Sequence, residues 1–111
     1  MGLTRSDIFT AEQNRIASIA KVIGHPARVA ILQHLIKVNS CVCGGIVDVI
    51  GLSQPTISQH LREMKSIGLI HGEISGTSVC YCINPTVYKD IQNMFNTIFG
   101  QDLTKAKASC N

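Results

Sequence analysis

The sequence predicts a mainly α-helical domain that carries one small β-hairpin, and three stretches predict it. Residues 53–65, Ser53-Gln54-Pro55-Thr56-Ile57-Ser58-Gln59-His60-Leu61-Arg62-Glu63-Met64-Lys65, read as an amphipathic helix. Just before them, the apolar run Ile46-Val47-Asp48-Val49-Ile50 reads as a short helix, and Gly51 suits the left-handed position that ends one. After Gly68 come two β-rich runs, residues 69–74 and 78–83, joined across Ser75-Gly76-Thr77, the pattern of a hairpin.

Taken in order, residues 1–6 read as a loose start. Ser6 or Asp7 is the expected cap of a helix running to about Val22, with Ile16, Ala20 and Ile23 on its apolar side. Gly24-His25-Pro26 breaks that helix, and Pro26 suits the first turn of the next, where a missing N–H costs nothing. Val29, Leu32, Leu35 and Ile36, with Ile31 and Val38, give that helix its apolar stripe, and Asn39-Ser40 ends it. Ser40-Cys41-Val42-Cys43 is short and β-leaning. In the helix that follows, Ser53 is the expected cap and Pro55 lies in the first turn. Ile57, Leu61 and Met64 recur at i, i+4 and i+7 and fall on one face. After the hairpin, Asn84-Pro85 opens a last helix to about Phe99, with Val87, Ile91, Met94, Phe95 and Ile98 on its apolar face. From Gly100 onward, through Lys105, Lys107 and Cys110, the tail reads as polar and mobile, so residues 1–111 form one domain with loose ends at about 1–6 and 100–111.

Composition narrows the function classes. The chain has 111 residues, 45% hydrophobic and 15% charged, enough for one modest core and too apolar for disorder. No apolar run approaches a membrane span, and no basic-plus-apolar leader stands at the front, so the expectation is a soluble, cytoplasmic protein with no membrane partner. The net charge of +3 favours a polyanion without supplying a dense basic patch. A paired acid–base arrangement, a phosphate loop and an enclosed pocket are all missing from the pattern, so no enzyme is expected.

A short helix, a tight glycine turn and a second helix make a helix-turn-helix, in which the second helix enters the major groove. The outer face of that second helix carries hydroxyls, amides and one guanidinium, the groups that read base edges and phosphates. With the hairpin behind it, the arrangement is a winged helix-turn-helix. The alternative reading of the same helix is an ordinary solvated polar face. A winged helix reused as a protein-interaction module is a further class, separated from DNA binding by salt-dependent affinity for DNA.

Four particular segments carry a family resemblance: Ile23-Gly24-His25-Pro26-Ala27-Arg28-Val29-Ala30-Ile31-Leu32, Cys41-Val42-Cys43, Gly51-Leu52-Ser53-Gln54-Pro55-Thr56-Ile57-Ser58-Gln59-His60-Leu61, and Gly68-Leu69-Ile70. Together, over roughly residues 15–85, they resemble the ArsR/SmtB family of small dimeric winged-helix repressors. The resemblance implies a homodimer that binds double-stranded operator DNA and releases it when a metal ion, metalloid or oxidant reaches sensor residues. By family position and outer-face placement, Gln54, Thr56, Ser58 and Gln59 are the expected contacts to base edges or phosphates. Arg62 is expected on a phosphate or guanine, and Lys65 adds backbone attraction. An Arg at the place of Arg28 lies near the DNA backbone or supports the fold in the family. The first helix is expected to join the dimer interface, and Phe95 and Phe99 are the expected contacts for a partner subunit.

Five cysteines are present, and four of them form two Cys-x-Cys pairs: Cys41 with Cys43, and Cys80 with Cys82. An odd count in an expected reducing compartment sets a structural disulfide framework aside as the first reading. In a winged helix the Cys41–Cys43 segment forms a short strand beside the returning strand of the wing. Alternate residues of a strand share a face, so in-register pairing brings four thiols together. Such a set suits arsenic(III), zinc, cadmium or copper(I). A reversible disulfide switch and inert, buried thiols are the alternatives. In the family's arsenic-sensing branch an acidic residue follows Cys-Val-Cys, and the triplet lies within a helix. Here Gly44 and Gly45 follow, and the spacing to Ser53 is one residue longer, a helical rotation of about 100°. The zinc-sensing branch places Asp and His ligands in the last helix, where this chain has Tyr88, Asp90, Asn93 and no His, so no zinc site is expected there. His25, His34, His60 and His71 are scattered and none is assigned to a metal. His60 is expected on the flank of the recognition helix, near a phosphate.

Overall fold

A computed structural model describes residues 6–75 and 78–104. A 3-10 turn at Ser6–Ile8 leads into α1 (Ala11–Ile23), α2 (Pro26–Val38), α3 (Ile46–Ile50) and α4 (Gln54–Ser66). Strands β1 (Ile70–Ser75) and β2 (Ser78–Ile83) follow, then α5 (Pro85–Phe99). The fold is a winged helix-turn-helix: α3 and α4 form the helix-turn-helix and β1–β2 the wing.

The first helix starts later than Ser6 or Asp7 would set it. Thr10 is its cap, because Thr10 and Gln13 satisfy each other: the Gln13 N–H donates to Thr10 Oγ1 and the Thr10 N–H to Gln13 Oε1, both at 3.0 Å. The residue that α1 sends deepest is Ile19, 3% exposed, while Ala20 faces solvent. In α2 the apolar stripe is narrower than its sequence suggests. Ile31 and Leu35 are buried, whereas Val29, Ile36 and Val38 stay about two-fifths exposed at 39%, 42% and 43%. His25 caps α2, its Nδ1 accepting from the Ala27 N–H at 3.1 Å.

Gly51 ends α3 with φ 85°, a left-handed position that a side chain would strain, and its N–H closes on the Val47 carbonyl. Ser53 occupies the cap position of α4, but its hydroxyl bonds the Thr56 hydroxyl at 3.0 Å instead of a backbone N–H. Ile57, Leu61 and Met64 do fall on the buried face, each 1–2% exposed, and with Ile19, Ile31, Leu35, Leu69 and Ile70 they form the core.

The wing pairs antiparallel from Ile70↔Ile83 to Ser75↔Ser78, and the joining residues 76–77 of the expected turn lie outside the described residues. Ile70 and Ile83 face the core, while His71, Glu73, Cys80 and Cys82 face the other way. The Cys41–Cys43 segment lies beside β2 as expected. One bridge holds it, with the Val42 and Tyr81 backbones exchanging both hydrogen bonds at 2.9 and 2.8 Å.

Asn84 caps α5 by accepting from the Thr86 and Val87 N–H groups at 3.1 and 3.2 Å. α5 packs against α1 and buries Ile91. Phe95 is partly buried against the core, whereas Phe99 is 76% exposed and Ile98 50%. Gly100 closes the helix, and Thr104 bonds Asp102 through both its N–H and its hydroxyl. Residues 1–5 and 105–111 of the expected loose ends, with Lys105, Lys107 and Cys110, lie outside the described residues. Among the described residues no helix is long and apolar enough to cross a membrane.

Candidate nucleic-acid interface

The outer face of α4 is polar, and its side chains are linked to one another. Gln54, Thr56, Gln59, Arg62 and Lys65 are exposed, and Ser58 is half-buried. Gln54 Nε2 donates to Ser58 Oγ at 3.0 Å, and Arg62 Nη1 donates to Gln59 Oε1 at 2.6 Å. Gln59 also donates to Glu63 Oε1 at 3.4 Å. These one-turn links hold amide and guanidinium groups in an ordered row, and rows of this kind can meet base edges and phosphates without first being collected from many rotamers.

His60 is not on the flank of this face. It is buried, 8% exposed, because it follows Ile57 by three residues and precedes Met64 by four, which puts it on the apolar stripe. Its partner is Arg28 of α2, whose Nε donates to His60 Nδ1 at 3.1 Å. The same guanidinium donates through Nη1 to the Val22 carbonyl near the end of α1 at 3.0 Å. The His25 ring lies against the His60 ring with centroids 4.4 Å apart. Burial first, then the charges of His25 and Arg28, hold the His60 imidazole below the ordinary histidine pKa. Since Nδ1 accepts, the ring is neutral with its proton on Nε2. Arg28 therefore supports the fold: one side chain ties α1, α2 and α4 together. Family position alone leaves the role of Arg28 open, and the i+3 spacing of His60 from Ile57 is the sequence signal for the burial.

The four cysteines of the two Cys-x-Cys pairs do converge, and they do so as two disulfides, Cys41–Cys82 and Cys43–Cys80. The disulfide framework set aside at the sequence level is thus present. The reason is register. Val42 and Tyr81 form a hydrogen-bonded antiparallel pair, so 41–82 and 43–80 are the flanking non-hydrogen-bonded pairs, where opposite residues approach closest. Their Cα atoms stand 4.3 and 3.9 Å apart. Cys80 and Cys82 are buried at 4% and 5%, while Cys41 and Cys43 are exposed. Gly44 and Gly45, at φ 131° and 77°, turn the chain from this bridge directly into α3, so the Cys-Val-Cys triplet is extended and not helical. The two bonds therefore clamp the entry of the helix-turn-helix to the returning strand of the wing. Between clamp and α4 runs an open groove of about 380 Å³, bordered by Cys43, Gln54, Ser58, Val79 and Tyr81.

One further side chain belongs to this cluster. Cys41 Sγ and Cys82 Sγ, joined as a disulfide, and a Glu73 carboxylate oxygen all lie within 4.8 Å of one another. His71 Nδ1 lies 3.7 Å from Glu73 Oε1 on the same face. Glu73 carries no signal of its own in the sequence, and His71 reads there as one of four scattered histidines. Their alternation on β1 opposite Cys80 and Cys82 shows only once the hairpin register is known.

A sequence profile of the bacterial regulatory protein arsR family matches residues 25–71. The chain is 36% identical over 63 residues to the HTH-type transcriptional repressor SmtB of Mycobacterium tuberculosis, a match that covers 57% of this chain and 46% of that protein. This chain therefore spans about half the length of that relative. It is 34% identical over 82 residues to the transcriptional repressor SdpR of Bacillus subtilis, covering 73% of this chain and 90% of SdpR. Among solved structures it resembles the homodimeric winged helix-turn-helix DNA-binding domain of a possible ArsR-family regulator from Mycobacterium bovis. There the TM-score is 0.64 at 20% identity, over 99% of this chain and 98% of the other, and it speaks for the fold.

Proposed function

The chain belongs to the arsR family of bacterial regulatory proteins, and from that premise we propose that it is a sequence-specific, DNA-binding transcriptional repressor acting as a homodimer. The observation that carries the reading is the exposed, pre-linked polar row on α4, backed by a fully buried inner face and flanked by the wing. In this reading Gln54, Thr56, Ser58 and Gln59 meet base edges or phosphates, and Arg62 and Lys65 meet the backbone. The exposed apolar residues Ile8, Phe9, Ile98 and Phe99 are the surface that a second copy covers. SdpR and SmtB are named as transcriptional repressors, and the Mycobacterium bovis domain as homodimeric, which supports both parts.

The state of the four cysteines sets the DNA affinity. Two disulfides fix the wing against the segment that enters α3, so breaking them frees the angle between wing and recognition helix. Allosteric couplings are typically about 1–3 kcal/mol, a 5- to 150-fold change in affinity. Thiol oxidation and reduction is the first reading of the trigger, because the disulfides are formed. Control by a metal or metalloid at the reduced thiols is the second, favoured by the cluster of Cys41, Cys82 and Glu73.

A fluorescence-anisotropy titration onto DNA from upstream of the chain's own gene tests this. Oxidised and anaerobically reduced protein are compared, the latter with and without arsenite, zinc, cadmium and copper(I). Salt-dependent binding that differs between these states is the expected result, and no binding in any state sinks the repressor reading. Gln59→Ala should weaken operator binding more than binding to random DNA, whereas equal losses would reduce Gln59 to a phosphate contact.

A further inference from the structure

A polar cluster lies on the inner side of α4, and it contains none of the cysteines. Arg28 makes two bonds there: Nε donates to His60 Nδ1 at 3.1 Å, and Nη1 donates to the Val22 carbonyl at 3.0 Å. The His25 ring lies 4.4 Å from the His60 ring by centroids, with its own Nδ1 committed to the Ala27 N–H. Both imidazoles thus use Nδ1 as an acceptor, which only a neutral histidine can do. We propose that His60 is a proton-responsive positioning residue for DNA recognition: neutral, it lets Arg28 brace the recognition helix against α1 and α2, and protonated, it ejects that brace, so operator affinity falls in acid. The proposal rests on the reading of α4 as the recognition helix, and it names an effector, the proton, that acts without the cysteines.

The surroundings of the ring are unfavourable to a second positive charge. The charges that act on His60 are those of His25 and Arg28, both supplied by the α2 side and both basic. The ionisable residues of the other elements packed on α4 face solvent. Glu12, Arg15 and Lys21 of α1, Asp48 of α3 and Glu73 of β1 are exposed, and His71 of β1 is half-exposed beside Glu73. On α4 itself Arg62 and Lys65 are exposed, and the Glu63 carboxylate is turned to Gln59.

A proton from solvent that takes the lone pair of Nδ1 leaves a ring with two N–H donors and no acceptor. Arg28 keeps its own proton, so its Nε–H then points at another N–H, and two cations stand in contact at a residue only 8% exposed. Burial of the ring, with the charges of His25 and Arg28, holds its pKa below the ordinary histidine value for the same reason. The conflict is relieved when Arg28 leaves. Because one guanidinium makes both bonds, the tie to the Val22 carbonyl goes with it. Ile57, Leu61 and Met64 still anchor α4 in the core, so the helix stays packed but is no longer braced at one angle. Base-edge contacts need that angle, whereas general attraction to phosphates does not. The sign is diagnostic: a histidine lying against a phosphate would strengthen DNA binding on protonation, and His60 weakens it.

Fluorescence anisotropy of the oxidised full-length chain tests this between about pH 7.5 and pH 5, on DNA from upstream of its own gene and on random DNA. Far-UV circular dichroism marks the range in which the chain stays folded. Operator affinity should fall at least about fivefold in acid, the lower edge of typical allosteric coupling, while affinity for random DNA holds or rises. His60→Asn keeps an acceptor and cannot titrate. It should bind the operator more weakly near pH 7.5 and lose the operator-specific acid dependence. His25→Asn, an exposed change to a residue that also caps helices, should keep that dependence and move it toward neutral pH, because one charge opposing the proton is gone. Operator affinity that stays level or rises in acid, a parallel fall on random DNA, an acid dependence that survives in His60→Asn, or unfolding before His60 takes its proton would each overturn the proposal. Nitrogen NMR of the chain without DNA reads the brace itself: the Arg28 Nε–H resonance should move with the titration of the His60 ring, and an Arg28 signal indifferent to it overturns the brace. A chain that shows this coupled titration but binds no DNA at any pH overturns the repressor reading and leaves the brace standing.

Discussion

The recognition helix and the wing lie side by side and are held by opposite means. α4 is fixed by apolar burial: Ile57, Leu61 and Met64 are 1–2% exposed, and the Arg28–His60 bond closes its inner face. The wing is a two-stranded sheet, and two strands alone are marginal in water. Its outer side is held by a single bridge pair and two disulfides. The difference teaches which part of the molecule can respond to its surroundings. A core does not change with the redox poise of the solution, whereas a sulfur clamp does. The packing of α4 is therefore constant, and the wing beside it is held by bonds that reduction can break.

The comparison is broken most forcefully from the core side. Leu61→Ala should cost about 2–5 kcal/mol of unfolding free energy, read from the urea midpoint, and the loss should be alike in oxidised and reduced protein. A loss that depends on redox state would mean that the two regions are one unit. Reduction of the wild-type clamp comes next. The bonds close loops with sequence separations of 41 and 37 residues, and removing a disulfide of this kind typically costs about 2–4 kcal/mol. The urea midpoint should fall accordingly, while hydrogen exchange speeds up in β1 and β2 and stays slow in α4. Uniform acceleration would refute a locally held wing.

The smallest effect sharpens the core side by pH. His60 has a lowered pKa in the folded state, so between that value and about 6.5 the unfolded chain binds more protons and stability rises with pH. The contribution is complete above about pH 6.5 and is lost as pH falls through the lowered folded value. His60→Asn, compared with wild type at pH 7.5 and pH 5, should lose this part of the acid sensitivity. It should also cost about 1–3 kcal/mol at neutral pH by loosening a buried partner of Arg28. An unchanged difference between the two pH values would show that His60 does not titrate in this range.

Periodicity places α4 and its buried stripe, and turn chemistry places the glycine turn and the hairpin, because those features depend on neighbours along the chain. What it misplaced depended on contacts across the chain. Val29 and Ile36 lie on the predicted stripe of α2 but stay about two-fifths exposed, Ile36 at the edge of a cleft shared with Ile83, Pro85 and Tyr88. His60 reads as polar, and only the arrival of Arg28 from 32 residues away makes its burial tolerable. The four cysteines were legible as a converging set through the alternation of strands. Their direct bonding followed from which pair exchanges backbone hydrogen bonds, which no spacing within one segment reveals. Glu73 was invisible for the same reason.

The two glycines after Cys43 explain how a family-like triplet came to sit in a different place: with Gly44 and Gly45 both at positive φ, the helix cannot begin before Ile46. The pairing they permit has a further consequence during oxidation. Four thiols allow three ways of forming two bonds. A slip of one residue turns one strand's cysteines to the opposite face of the sheet, and a slip of two leaves only one opposed pair. Only the native alignment lets both bonds close, so the sulfur chemistry acts as a checksum on the placement of the wing, accepting the chain when it is threaded correctly and leaving free thiols, open to repair, when it is not.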